Sequence, residues 1–181
     1  MRNRKLKITE MGRMNAEEFR VSEKMPLIVV LDDVRSMYNV GSVFRTADAF
    51  RAEAIYLCGI TAQPPHPEIH KTALGAEDTV AWRHFDTAME AVQSLKEQGY
   101  TVLSVEQCEG STMLNQLEVK EVREVKKYAI ILGNEVKGVH QEVVDASDGC
   151  IEIPQFGTKH SLNVSTTAGI VIWHFALTFF T

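Results

Sequence analysis

Short runs of β-branched and aliphatic residues alternate along the chain with segments of helical period, and this alternation limits the fold more than any other feature. "MPLIVVLDDV" reads as a buried strand at 27–31, introduced by a proline. In "NVGSVFRTADAF", Val40, Val43, Phe44, Ala47 and Phe50 repeat at helical spacing, with Asn39 at the N-cap position. "AEAIYLCGI" gives a second strand near 54–58. The Pro-rich "TAQPPHPEIHK" reads as a loop leading to a short helix from about His70 to Leu74. "DTVAWRHF" reads as a strand, and "DTAMEAVQSLKEQG" as a helix capped by Asp86 and closed by Gly99. "YTVLSVEQ" and residues 128–132 are strands, "QEVVDASD" a short helix, "GCIEIP" a short strand, and about 162–179 the last helix. Such alternation predicts an α/β fold with a largely parallel sheet and helices on both faces. Ligands of these sheets bind beyond the carboxyl ends of the strands. The loops predicted there are 32–45, 133–138 and 154–163.

With 181 residues the chain suits one domain, with a short appendage. The net charge of −5 does not mark a nucleic-acid binder, but its distribution is uneven. Residues 1–24 hold seven Lys/Arg against four Glu, leaving 12 basic against 20 acidic residues in the rest. A basic arm on an acidic body suits phosphate contacts, while a solvated helix with internal ion pairs is the competing reading. Cys58, Cys108 and Cys150 are far apart and form no C-x-x-C pair, which argues against a disulfide framework or zinc site and for a reducing cytoplasm. "MRNRKLKITEM" has no apolar core of a secretory signal. "GIVIWHFALTFF" is too short to span a bilayer and contains His174, so it reads as a buried helix or an oligomer contact, with no membrane association.

The three loops carry the polar residues of interest. In "GNEVKG", Gly133 and Gly138 permit a close backbone approach or positive φ, and Glu135 can accept from neighbouring backbone. This is neither a P-loop nor a G-x-G-x-x-G turn; a plain strand-to-helix turn is the competing reading. In "PQFGTKHSLN", Pro154 ends a strand and Gly157 allows a sharp bend. Its backbone can offer N–H and C=O groups to a flat polar ring such as adenine. One of Ser161, Asn163 and Ser165 is expected to cap the last helix, leaving at least one to face a ligand. In the first loop, Arg45 follows Asn39 by six residues, and both are read as bordering one mouth. Arg45 suits a bidentate phosphate grip; a surface ion pair with Asp48 is the competing reading. No metal site is expected, because Pro67 argues against a helix joining His66 to His70. The histidines read as structural or surface residues, and Trp82 and Trp173 as packing residues.

Taken in order, "NVGSVFRTADAF", "IILGNEVKGV" and "IEIPQFGTKHSLNVSTTAGI" resemble the SPOUT superfamily, and within it the SpoU-type, TrmH-like RNA 2′-O-ribose methyltransferases. The likeness runs from about residue 26 to 176. It implies an α/β-knot with a deep C-terminal trefoil knot over 26–181, a basic arm over 1–25 in place of a separate RNA-binding domain, and a homodimer. It implies S-adenosyl-L-methionine as cofactor and RNA, either tRNA or rRNA, as partner. By the same resemblance Leu132, Gly133, Asn134, Ile153, Gln155, Gly157, Ser161 and Leu162 hold the cofactor. Arg45, Asn39, Glu135, Ser161 and Asn163 are the implied catalytic set. Gln155 stands where the family often has Met, and "STTAG" replaces the commoner "SVAAA". Two other readings of the same fold stay open: a non-catalytic RNA-binding dimer, and methylation of a base nitrogen.

Overall fold

The first strand, β1 (Met25–Asp32), shows how the sequence builds two cores from one sheet. Leu27, Val29 and Leu31 point into one apolar cluster and Ile28 and Val30 into the other, as the two-residue period of a strand requires. In this computed structural model residues 3–119 and 126–180 are described. Arg2 of the basic arm and Thr181 lie outside them.

In chain order the elements are α1 (Ala16–Val21), β1, α2 (Met37–Ala49), β2 (Ala52–Cys58), α3 (Pro67–Ala73), β3 (Ala81–Phe85), α4 (Ala88–Glu97), β4 (Tyr100–Val105), β5 (Thr112–Met113), β6 (Lys127–Leu132), α5 (Gln141–Ala146), β7 (Gly149–Glu152) and α6 (Val164–Phe180). The seven strands lie in the order β3-β2-β1-β6-β4-β7-β5, and every adjacent pair is parallel. The expected α/β sheet is therefore present, and parallel throughout the described residues. Side chains of α2, α3 and α6 fill one face together with Leu27, Val29, Leu31, Ile55, Leu57, Ile130 and Leu132. Side chains of α4 and α5 fill the other with Ile28, Val30, Tyr56, Ala129 and Ile131. Fully burying each such aliphatic side chain stabilises by about 1.5–3 kcal/mol before the entropy of ordering is charged against it. The basic arm is anchored to this body by Phe19 of α1, whose ring is buried in the first cluster. The arm also carries an internal ion pair, Arg4 to Glu10 at 3.0 Å.

Local chemistry explains where three helix starts differ from the expectation. Asn39 is not an N-cap: Ser36 takes that place, its Oγ accepting from the Asn39 N–H at 3.3 Å, and Asn39 lies inside α2. Thr87, not Asp86, caps α4 by accepting from Glu90 N–H at 3.2 Å. A helix does form between His66 and His70. Pro67 occupies its first turn, where a missing N–H costs nothing, and His66 caps it through Nδ1. Gly99, at φ +80°, closes α4 as its sequence position predicts. The two-residue β5 carries no periodic signal in the sequence.

Two close approaches set the front of the sheet. A Cβ at Gly41 would lie 2.2 Å from both the Ile69 carbonyl oxygen and Thr72 Oγ1, so only glycine lets α2 meet α3 this closely. Asp33, just past β1, holds a left-handed φ of +53°. Its Oδ1 accepts from Ile60 N–H at 2.9 Å, which fixes the chain reversal that leads into α2.

Candidate active site

The carboxyl ends of β1, β4, β6 and β7 come together at one end of the sheet, and a cleft of about 1030 Å³ opens there. Its walls come from the segments after β4, after β6 and after β7. Two of the three loops singled out in the sequence, 133–138 and 154–163, thus line it. The third, 32–45, stands behind the second of these walls.

The turn after β6 is built before any ligand is considered. Asn134 N–H donates to the Gly138 carbonyl at 3.0 Å, and Gly138 N–H returns a bond to the Asn134 carbonyl at 2.9 Å. A Cβ on Gly133 would lie 2.1 Å from Gly138 C and Val139 N, so glycine is required for this closure. Gly138 sits at φ +71°, and a Cβ there would also strike Glu106 Oε2. That same Glu106 oxygen accepts from Val139 N–H at 3.1 Å and buttresses the turn from the β4 side. Asn134 Oδ1 accepts from Val136 and Lys137 N–H, and its amide donates to the Asp33 carbonyl at 2.8 Å. The side chain of Asn134 is therefore committed to holding the turn onto β1.

Glu135 completes the clamp. Its two carboxylate oxygens accept from the backbone N–H groups of Arg35 and Ser36 and from the Asn39 amide, each at 3.0 Å. Those backbone groups are otherwise unpaired donors at the start of α2, where the helix dipole also favours an anion. Burial works to raise the Glu135 carboxyl, but these donated bonds outweigh it and hold the group below the usual carboxylate range. Asn39 in turn accepts, through Oδ1, from the Asn163 amide at 3.1 Å. Asn163 Oδ1 accepts from Ser165 N–H at 2.9 Å and from Ser165 Oγ at 2.7 Å, and so caps α6. A continuous chain of hydrogen bonds, Glu135–Asn39–Asn163, joins the three loops. Of the three candidate caps, Asn163 does the capping, Ser165 is tied to it, and Ser161 faces the cleft, exposed and with no hydrogen bond among the described residues.

Leu132, Gly133, Asn134, Ile153, Gln155, Ser161 and Leu162 all line the cleft. Gly157 does not. Its φ is not positive and a Cβ there would meet nothing within 4 Å, so the bend does not depend on glycine. Among the expected catalytic residues, Glu135, Ser161 and Asn163 line the cleft; Asn39 is buried behind it. Arg45 does not border the same mouth as Asn39. Six residues at about 100° each place the two on different faces of α2, and Arg45 stands exposed. No ion pair with Asp48 forms; Asp48 instead accepts from Thr79 Oγ1 at 2.9 Å. Among the described residues Arg45 has no hydrogen-bond or ion-pair partner.

The lining is acidic. Glu106, Glu109, Glu135, Asp145 and Glu152 face Lys137 as the sole basic residue among those described. Leu132, Ile153 and Leu162 supply an apolar floor. Cys108 and Cys150 also reach the wall, but burial and contact with Cys150 push the Cys108 thiol up to about 12, which leaves little reactive thiolate. Behind the site lies a group that sequence reasoning misses, its members 108 residues apart: His140 Nδ1 donates to buried Asp32 at 2.9 Å, and its Nε2 lies 3.6 Å from Asp33. Hydrogen bonding to Asp32 and the charge of that carboxylate raise the His140 ring above its ordinary value against the effect of burial. The three bring ligand-type atoms within 4.8 Å of one another. Both ring nitrogens are turned to carboxylates, the arrangement of an ion-paired imidazolium. The adjacent "DD" closing β1 is the only mark this cluster leaves in the sequence.

Comparison with known proteins places the geometry in context. The model of the SpoU rRNA Methylase family matches residues 26–173. A tRNA (guanosine(18)-2′-O)-methyltransferase of Thermus thermophilus is 30% identical over 165 residues, 91% of this chain and 81% of that protein. The 23S rRNA (guanosine-2′-O-)-methyltransferase RlmB of Neisseria meningitidis serogroup B is 29% identical over 147 residues, 81% of this chain and 56% of that protein. The crystal structure of an AdoMet-bound rRNA methyltransferase from Sinorhizobium meliloti superposes with a TM-score of 0.77 at 26% identity, covering 84% of this chain and 56% of the other. The chain thus spans little more than half the length of two of these relatives.

Proposed function

Because this chain belongs to the SpoU rRNA methylase family, we propose that it is an S-adenosyl-L-methionine-dependent methyltransferase acting on a ribose 2′-hydroxyl of tRNA or rRNA. The observation that carries the reading is the hydrogen-bond chain Glu135–Asn39–Asn163, which gathers the three loops at one cleft. The cleft fits the cofactor by its donor set: an apolar floor for a flat ring, free backbone and Ser161 Oγ for polar contacts, and acidic walls for a cation. Leu132, Gly133, Ile153, Gln155, Ser161 and Leu162 would hold it. Asn134 would act through the turn it closes, and Gly157 through the loop it belongs to. When bound, S-adenosyl-L-methionine supplies a methyl group made electrophilic by its sulfonium.

The chain's own residues then position the nucleophile. Arg45, exposed outside the cleft lining and without a hydrogen-bond or ion-pair partner among the described residues, would grip an RNA phosphate and so hold the strand with its ribose at the cleft. A guanidinium stays protonated and is a poor base, so the hydroxyl proton leaves to that phosphate or to water. Asn39, Glu135 and Asn163 would act as positioning residues, and Ser161, which lines the cleft, would orient the ribose. Replacing Arg45 with Ala is expected to abolish transfer while leaving cofactor affinity nearly intact; equal loss of both refutes this division of roles.

The finer features follow from the same reading. The insertion of β6 between β1 and β4, and of β7 between β4 and β5, supports a trefoil-knotted domain over 26–181, with 1–25 as a basic RNA-binding arm. Ile170, Trp173, Leu177 and Phe180 form one exposed apolar stripe on α6, and no described helix is long and apolar enough to cross a membrane. That stripe supports a homodimer, since a second copy would bury it. Three free cysteines suit a reducing cytoplasm. Incubation of total RNA with labelled cofactor, followed by mass spectrometry of the nucleosides, tests the proposal. A 2′-O-methylnucleoside is expected. A base-methylated product overturns the ribose assignment, and calorimetry showing no cofactor binding favours a non-catalytic dimer.

A further inference from the structure

The loop over the cleft carries an aromatic side chain that the cofactor reading does not use. Phe156 is 96% exposed, between Gln155, which lines the cleft, and Gly157, which does not. Its loop is held at three points: by β7 on one side, by the Asn163 cap on the other, and by Gln107, whose amide donates to the His160 carbonyl at 2.7 Å. A large apolar ring left in water on a secured loop gains nothing within the monomer. Three residues on, Lys159 is exposed and makes no ion pair among the described residues. The rim thus offers a π-face and an uncommitted cation, above a cleft whose walls are acidic.

We infer that Phe156 and Lys159 form the RNA-receiving lip of the cleft: Phe156 stacks on a nucleobase beside the target ribose, and Lys159 meets an adjoining phosphate. This rests on the ribose-methylation reading. A ribose entering the cleft brings its base and flanking phosphates to the rim, and single-stranded RNA is read chiefly by stacking on aromatic side chains and by backbone charge. The acidic walls repel those phosphates and keep the RNA backbone at the lip. Every base has a π-face, so this contact holds the strand without selecting a sequence.

The test compares the wild-type chain with Phe156→Ala, Phe156→Trp and Lys159→Gln. Retention of labelled unfractionated tRNA and rRNA on filters measures binding, calorimetry measures S-adenosyl-L-methionine affinity, and sedimentation measures oligomeric state. Phe156→Ala should weaken RNA binding about tenfold with cofactor affinity unchanged, and Phe156→Trp should restore it. Lys159→Gln should weaken binding less and flatten its dependence on salt. Unchanged RNA binding in Phe156→Ala overturns the inference. So does an equal loss of cofactor affinity, which would make Phe156 a cleft-shaping residue, or dissociation of a dimer, which would make it an interface residue. Because binding is read apart from turnover, a wild-type chain that binds RNA but methylates none defeats the enzymatic reading and still leaves the lip decided by these variants.

Discussion

The side-chain amide of Asn163 donates to the side-chain Oδ1 of Asn39 at 3.1 Å, so the cap of α6 is tied to a side chain inside α2. The two residues are 124 positions apart in sequence, and each makes a further contact: Asn163 caps α6, and the Asn39 amide donates to Glu135. Asn163→Ala should destabilise the fold by about 1 kcal/mol through loss of the cap. Asn39→Ala and Asn163→Ala should combine non-additively, with a coupling of roughly 0.5–1 kcal/mol. Urea unfolding of the two single variants and the double variant measures it; strict additivity would mean the contact is not energetically coupled.

Glu135 holds the start of α2 only as a carboxylate. Glu135→Gln keeps one acceptor oxygen and turns an NH₂ toward backbone donors, so a loss of about 1 kcal/mol is expected for this partly exposed group. Its carboxyl is held below the ordinary value of 4.5, so its contribution is present above that pH and lost as the pH falls through the folded value. The stability gap between wild type and Glu135→Gln should therefore be flat near neutrality and close in acid. Denaturant midpoints across an acid series check this.

Gly133 and Gly157 look alike in sequence, each flanking a polar loop, and should respond oppositely to the same change. Gly133→Ala drives a methyl into the backbone of Gly138 and Val139 and should cost about 3 kcal/mol. Gly157→Ala meets open space and should be neutral or stabilise by roughly 0.5 kcal/mol through the unfolded state. Thermal melts of the two variants decide it, and similar losses in both would contradict the close approach described at Gly133.

His140 gives the opposite pH dependence to Glu135. The ring is raised above 6.5 by its hydrogen bond to Asp32, so its stabilising contribution is complete below that pH and is lost as the pH rises through the folded value. The Tm difference between wild type and His140→Gln should be larger near about pH 6 than near about pH 9. A difference that grows with pH would mean the ring is held neutral.

Strands, helices and their order are legible in the sequence because period and punctuation are local properties. Val40, Val43, Phe44 and Ala47 announce a buried helix face, and that face is where they lie. Departures fall where a local signal has two solutions. Ser36 and Asn39 both suit an N-cap, and the structure uses Ser36 because Glu135 claims Asn39 from a distant turn. Pro67 forbids a helix interior but favours a first turn, and position decides between them. At the site, "GNEVKG" suggests that Glu135 accepts backbone hydrogen bonds. That the donors are Arg35 and Ser36, across 100 and 99 residues, is set by the pairing of β1 with β6 and has no local trace. The separation of Arg45 from Asn39, by contrast, follows from helical geometry alone and needs no tertiary information.

The missing side chain at Gly41 makes α3 a strut for the site. Gly41 follows Asn39 closely on α2, and the two helices meet there with no slack for a methyl group. A change on the outer surface of α3 that shifts it must push α2 with it, and with α2 the amide that Glu135 and Asn163 share. Substitutions far from the cleft, at residues touching no ligand, can therefore misalign it, and the tolerance of α3 to change should be narrower than its place on the outside of the fold suggests.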